Sequence, residues 1–435
     1  MTDTARRPSS PYADLSSSQL ATLLPELLLS GQLIDRSGMA HLISAFGREV
    51  MTEVAIEEWM AASPVYTGRM RSALGIDGDG VVDMFKCLQL DIGAPPQFMD
   101  FRYVVHDEYH GGFILSHCGA LMDVEPMGDE YVTSMCHDIE DPTFDATAIA
   151  TNRRARIRPV HRPPRVPTDR TPHCEWTVTI EPDRDELPLP EFTKPVLETA
   201  AATVALSPID QTATDGHVDY RGDLVEDLVF SDFSHTALVR MAEEVALQHH
   251  LLAIGFRLSV LRRGVSDRDG HSAASRDEQA RRITGLQLIG ISGMASERLR
   301  DALRLGDSAA DLATVLRAHP ILGPQQYTGV VVEETDAGVR IRIPQDSPAF
   351  GDGGWMDLLT PEFTDPLAAM VAGVDSRWTV DSASYADGDL VVDVVRGEPH
   401  READEVAIVR FSSGSNFEFT NRGRAIPIIP ITPVG

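Results

Sequence analysis

A chain of 435 residues is longer than one hydrophobic core usually serves, so two domains are expected, and an apolar content of 43% marks a globular protein. Its 66 acidic against 38 basic residues leave a net charge of −28, which repels phosphate backbones and anionic headgroups and excludes nucleic acid and membrane surfaces as expected partners. Arg6-Arg7 is followed by Ser, Pro and Asp rather than the apolar core of a signal peptide, and no apolar run reaches the ~20 residues of a membrane span, so a cytoplasmic protein is expected.

Residues 1–15 are polar and expected to be disordered. From Ser16 onward, Leu20, Leu23, Leu24, Leu27 and Leu28 recur at three- and four-residue steps behind a Ser-rich cap, which predicts a helix. A second helix over about 38–60 carries Leu42, Ile43, Phe46, Val50, Val54 and Trp59 on one side, and Val81 to Leu90 reads as a third that buries Cys87. The segments Phe101 to Val105, Gly112 to Cys118 and Cys174 to Ile180 are short and β-branched or aromatic, hence strands; Tyr131 to His137 fits either a strand or the opening of a helix. Residues 152–172 are rich in Arg and Pro and read as an ordered loop, and the acidic, Pro-rich 181–196 as a boundary or covering arm.

The second half repeats this order. A helical stretch over 224–256 precedes a polar insertion at 264–282, further helices to 318, and strands at Tyr327 to Glu333, Gly338 to Ile343 and Asp389 to Val395. Helices followed by a strand meander, twice, predict an α+β fold built as a tandem of two related units, helices packed on antiparallel sheets, the second unit degenerate. The units are expected at 16–196 and 197–425. A Pro-rich tail at 426–435 is expected to lie across a sheet edge or a partner subunit of a homo-oligomer.

The chemistry concentrates in the first unit. Three dipeptides, His117-Cys118, Cys136-His137 and His173-Cys174, hold three of the chain's four cysteines, separated by 17 and then 35 residues. Four cysteines are too few for a disulfide scaffold, and clustered thiol and imidazole in a reducing compartment point to metal or catalysis, with Zn or Fe the ions such ligands favour. Adjacent residues of a strand face opposite ways, so either Cys118, Cys136 and Cys174 meet on one face or His117, His137 and His173 on the other, unless a dipeptide sits on a loop. Buried cysteine as a small core residue is the plainer alternative.

Beside Cys136, the run His137-Asp138-Ile139-Glu140-Asp141 supplies acid–base groups. Asp138 shares the face of Cys136 if the backbone is extended, Glu140 if it is helical, and His137 is left for proton handling. Arg153, Arg154, Arg156, Arg158, Arg162 and Arg165 form a basic island, with Arg158 and His161 the candidates for holding a substrate. The competing reading is that these arginines pair with the acidic residues nearby.

Cys118-Gly119 after a strand, Cys136-His137-Asp138 and Cys174-Glu175-Trp176 in a final strand, over roughly residues 38–180, resemble the L-2-amino-thiazoline-4-carboxylate hydrolase-like proteins, a group similar to the 4-vinyl reductase superfamily. The resemblance implies helices on an antiparallel sheet and a small-molecule pocket between them, with cysteines nearby. The expected function is a metal-dependent hydrolase acting on a C–N or related bond of a small polar molecule; the alternative is a small-molecule-binding or sensory module with a structural metal.

Overall fold

The computed structural model describes residues 10–263, 273–398, 419–421 and 424–426. It is an α+β protein with two separate four-stranded antiparallel sheets on which helices pack. The first unit runs α1 (Ser17–Phe46), α2 (Arg48–Leu74), α3 (Val81–Leu88), β1 (Met99–Val105), β2 (His110–Cys118), α4 (Gly119–Val124), α5 (Asp129–Thr133), α6 (Glu140–Ile149), β3 (Ala155–His161) and β4 (Cys174–Ile180). The short helices α7 (Thr193–Leu197) and α8 (Ala200–Thr203) lead to α9 (His235–Arg263), α10 (Ala273–Ala302), α11 (Ala309–Ala318) and α12 (Gln325–Thr328). The second unit ends with β5 (Val331–Thr335), β6 (Gly338–Pro344), α13 (Asp365–Val374), β7 (Trp378–Ala386) and β8 (Asp389–Arg396). Phe419–Asn421 and Arg424–Ile426 form a separate antiparallel pair, and the rest of the expected tail lies outside the described residues.

Local chemistry sets the helix ends. Ser16 and Gln19 close a reciprocal capping box at the start of α1, which satisfies donors that the first turn leaves open. Gly47, at φ +89°, turns the chain from α1 into α2 through a backbone region that a side chain would make costly. The leucines of α1 are buried as their spacing predicts, and α2 lies along α9 while α1 lies along α10. Each unit therefore packs its leading helix on the second long helix of the other. One apolar core runs through both units, from Tyr12 to Val394. Where α10 and α13 cross, a Cβ added to Gly373 would stand 2.1 Å from the Gly293 carbonyl oxygen, so this approach requires glycine.

The sheets have the same topology, β1-β2-β4-β3 and β5-β6-β8-β7. One irregularity is shared as well: the register shifts between Pro159 and His161 in β3 and between Val380 and Ser382 in β7, whereas the shift between Met99 and Phe101 in β1 has no counterpart in β5. The helix between the second and third strands, α6 or α13, packs on the second long helix of its own unit and on the third strand. The sequence alignment of Gly112 with Gly338 and of His173 with Asp389 picks out equivalent strands but differs by two residues from the observed pairings Gly112↔Thr177 and Gly338↔Val395. A slip of that size preserves which face each side chain takes.

Several expectations are revised. Residues 11–14, expected to be disordered, form a 3-10 turn whose Tyr12 is buried and donates its hydroxyl to the Ala318 carbonyl at 3.1 Å. Helix α10 begins at Ala273, inside the expected polar insertion, of which 264–272 lie outside the described residues. Part of the Arg- and Pro-rich loop is the strand β3; it is the sheet edge, where the missing N–H of Pro159 breaks no ladder. No helix among the described residues is long and apolar enough to cross a membrane.

Candidate functional site

Strand pairing decides where the thiols go. Leu115 of β2 lies opposite Cys174 of β4 and Phe113 opposite Trp176, so Cys174 shares the buried face that meets the helices. Cys118 ends β2 and caps α4, its Sγ accepting the Leu121 N–H at 3.4 Å. Tyr131 to His137 is helical: α5 passes through a π-turn at Ser134–Ile139 into α6. Cys136 and Glu140, four residues apart, then face inward together, and Asp138 is exposed.

Burial first, and then the charge of Glu140, pushes the Cys118 thiol up to about 12. Cys136 and Cys174 are raised well above the usual thiol range by burial, by Glu140 and by their cysteine neighbours. For all three thiols burial is the first cause and the charge of Glu140 the second. They are protonated at neutral pH, which removes both nucleophilicity and ligand strength.

The histidines go elsewhere. His117 and His173 have their ring centroids 5.5 Å apart, and burial followed by the charge of Arg165 lowers both, His173 to about 4. His137 donates from Nε2 to the Pro163 carbonyl oxygen at 2.7 Å, and His161 stands 3.7 Å from Glu175. Of the candidate metal ligands, Cys118, Cys136 and Cys174 are all buried in the apolar core, while the rings of His117 and His173 lie against each other. A set of thiols with Glu140 has the chemistry that Zn or Fe takes, but no group of three His, Cys, Asp or Glu among the described residues stands close enough to hold an ion.

The basic island is tied to acids and carbonyls. Arg158 makes a two-pronged contact with Asp145 at 2.9 Å, Arg162 pairs with Asp141 and Arg165 with Glu125, Arg153 and Arg154 reach Glu186, and Arg156 donates to the Ala155 and Asp185 carbonyls. The arginines serve the packing of α6, β3 and their loops.

Sequence reasoning missed the groups that complete the site. A cavity of about 80 Å³ between helices and sheet is lined by Glu140 together with Gln32, Asp35 and Asp91, and by Trp59, Tyr66, Phe101 and Phe144. Asp91 accepts the Tyr66 hydroxyl at 2.8 Å and the Gly93 N–H at 2.6 Å; its burial still raises it to about 6. Burial, and then Arg162 opposing and Asp141 assisting, leaves Glu140 at about 8, and its Oε2 is buried without a hydrogen-bond partner. Behind the wall, Glu58 is fully buried with neither carboxyl oxygen hydrogen-bonded, and burial followed by the charge of Asp35 holds it well above the usual carboxyl range. The available signal was a carboxyl inside an apolar run, Leu33-Ile34-Asp35 and Leu90-Asp91-Ile92. In the second unit, α13 occupies the position of α6 with buried Leu367, Met370 and Val371, so apolar side chains replace the polar ones.

Comparison of the chain with protein-family models, curated proteins and solved structures gives no match. The roles of the carboxyls therefore rest on geometry. Asp138→Asn is expected to change stability by less than about 0.5 kcal/mol, as exposed substitutions do, and to leave turnover intact. A thermal melt and an activity assay check this, and loss of activity in Asp138→Asn would return the acid–base role to that residue.

Proposed function

We propose that the first unit hydrolyses a C–N or related bond of a small polar molecule held in the cavity, with Glu140 and Asp91 as its proton-handling pair. The observation that carries this reading is the Glu140 carboxyl, whose buried, unpartnered Oε2 belongs to a residue lining the cavity. With Asp91 at about 6 and Glu140 at about 8, one is ionised and the other protonated between those values. Asp91 takes a proton from water, the water oxygen bonds to the carbon, and Glu140 gives its proton to the departing nitrogen as the C–N bond breaks. Burial beside the cavity's apolar lining keeps Glu140 protonated.

A panel of small amides, amidines, ureas and cyclic imines, assayed for released amine or ammonia, tests the proposal. Activity is expected to rise through pH 6, as Asp91 ionises, and to fall through pH 8, as Glu140 does. Glu140→Gln and Asp91→Asn are each expected to lower kcat by about 10²–10⁴-fold. The second reading, a binding module, draws on the protonated and hence unreactive thiols. It prevails if compounds bind and none of the panel is cleaved.

A further inference from the structure

The cavity does not end at its own walls. A groove of about 520 Å³ between α1 and β1 shares Ala94, Met99 and Phe101 with it. No Lys, Arg or His lines either space. The carboxylates of the groove are already matched, Glu26 by Arg298 at 2.6 Å and Asp100 by Arg102 at 2.8 Å. The carboxyls of the inner cavity, Asp35, Asp91 and Glu140, face a space without a basic side chain. Two buried amides also lack partners. Gln32, 5% exposed, lines the cavity with an Oε1 that accepts from nothing, and Gln97, 1% exposed, lines the groove with neither amide atom bonded.

Unpaired buried acceptors cost free energy that a bound donor returns. Carboxyls with aromatic faces around them reward a cation, through charge-assisted hydrogen bonds and through ring contacts of the Trp59 and Tyr66 kind. An anionic head would meet three carboxyl groups and no basic side chain. A space of about 80 Å³ holds about three or four non-hydrogen atoms, the size of a guanidinium or a short alkylammonium. Anything longer must continue into the groove past Gln97.

We propose that the ligand of this site is an extended organic cation, its ammonium or amidinium head in the acid-lined cavity and an amide-bearing body along the groove against Gln97. This rests on the small-molecule reading given above and names its substrate class.

Calorimetric titration of the full chain with guanidinium, butylammonium, N-acetyl-1,4-diaminobutane, butyramide and butyrate tests it. At pH 8.5, where Glu140 has given up its proton and the amines keep theirs, the three cations are expected to bind, butyramide and butyrate to give no signal, and Glu140→Gln to weaken butylammonium at least about tenfold, as loss of a charge-assisted contact does. The acetylated diamine is expected to bind about tenfold tighter than butylammonium, and Gln97→Leu to remove that advantage while leaving butylammonium unchanged. If butyrate or butyramide binds as well as butylammonium and Glu140→Gln weakens it, the cation assignment is overturned and the small-molecule site stands. If binding of every probe is indifferent to Glu140→Gln, or none binds at millimolar concentration, the cavity is not the site and the cation assignment falls with it. An unchanged preference for the acetylated diamine in Gln97→Leu overturns the role of the groove.

Discussion

Glu140→Gln is expected to stabilise the protein at pH 8 by about 2–4 kcal/mol while lowering kcat of the proposed hydrolysis by about 10²–10⁴-fold. An unfolded chain releases this proton near the ordinary carboxyl value of 4.5, whereas the folded protein keeps it to about 8. Between those values the unfolded state binds fewer protons, so stability falls as pH rises through the window and the loss is complete above about 8. Burial is the main cause, Arg162 works against it and Asp141 with it. Glutamine keeps the shape and cannot ionise. Buried His173, His249, His250 and His319 act in the opposite sense, because burial lowers them to about 4, 3, 4 and 4, but their contribution is complete once the unfolded chain loses its imidazolium protons near 6.5. The histidines titrate alike in wild type and variant, so the difference between their urea midpoints from pH 6.5 to 8.5 isolates Glu140. The wild-type curve should fall more steeply than that of the variant, and parallel curves would show that Glu140 is an ordinary ionised carboxylate.

What the sequence disclosed followed from periodicity. The leucine spacing of α1, the strands β2, β4, β6 and β8 and the repeated order of the units were legible because each element is buried on one or both faces and its side chains record that. The two unrecognised strands, β3 and β7, occupy the same place in their sheets. Both are edges, and an edge strand tolerates Pro159 or the run Asp381-Ser382-Ala383-Ser384. The buried face of Cys174 was legible from strand alternation, and so was the exchange of Asp138 for Glu140 in a helical backbone. Asp35, Asp91 and Gln32 were not, since the fold of α1 and the loop after α3 brings them to Glu140 from more than 40 positions away. Charge clustering along the chain drew attention to the arginines, which the structure pairs off locally.

Helix α4, which Cys118 caps, is tied to α1 by a buried ion pair, and breaking that pair from one side is expected to cost about 3–5 kcal/mol. Arg36 of α1 reaches Asp123 of α4 at 2.8 Å, with side chains 3% and 6% exposed, and its guanidinium lies 5.6 Å from the centre of the Phe98 ring. Helix α4 begins at the cysteine cap, so the pair ties α1 to the segment that carries Cys118. In Arg36→Met the Asp123 carboxylate stays buried without its cation, which is the source of the penalty, and α4 gains a reason to move outward. In the double variant Arg36→Met with Asp123→Leu no charge is left behind, and the unsatisfied Nε and Nη2 of Arg36 are removed as well. That variant should lie within about 1 kcal/mol of wild type or above it. Thiol accessibility separates this account from a general loosening of the fold: a disulfide reagent should modify Cys118 about tenfold faster in the single variant, as opening becomes cheaper, and at the wild-type rate in the double variant. Equal stability of Arg36→Met and wild type, measured by urea unfolding at pH 7, would show that Asp123 finds its compensation elsewhere and that α4 is held by packing alone.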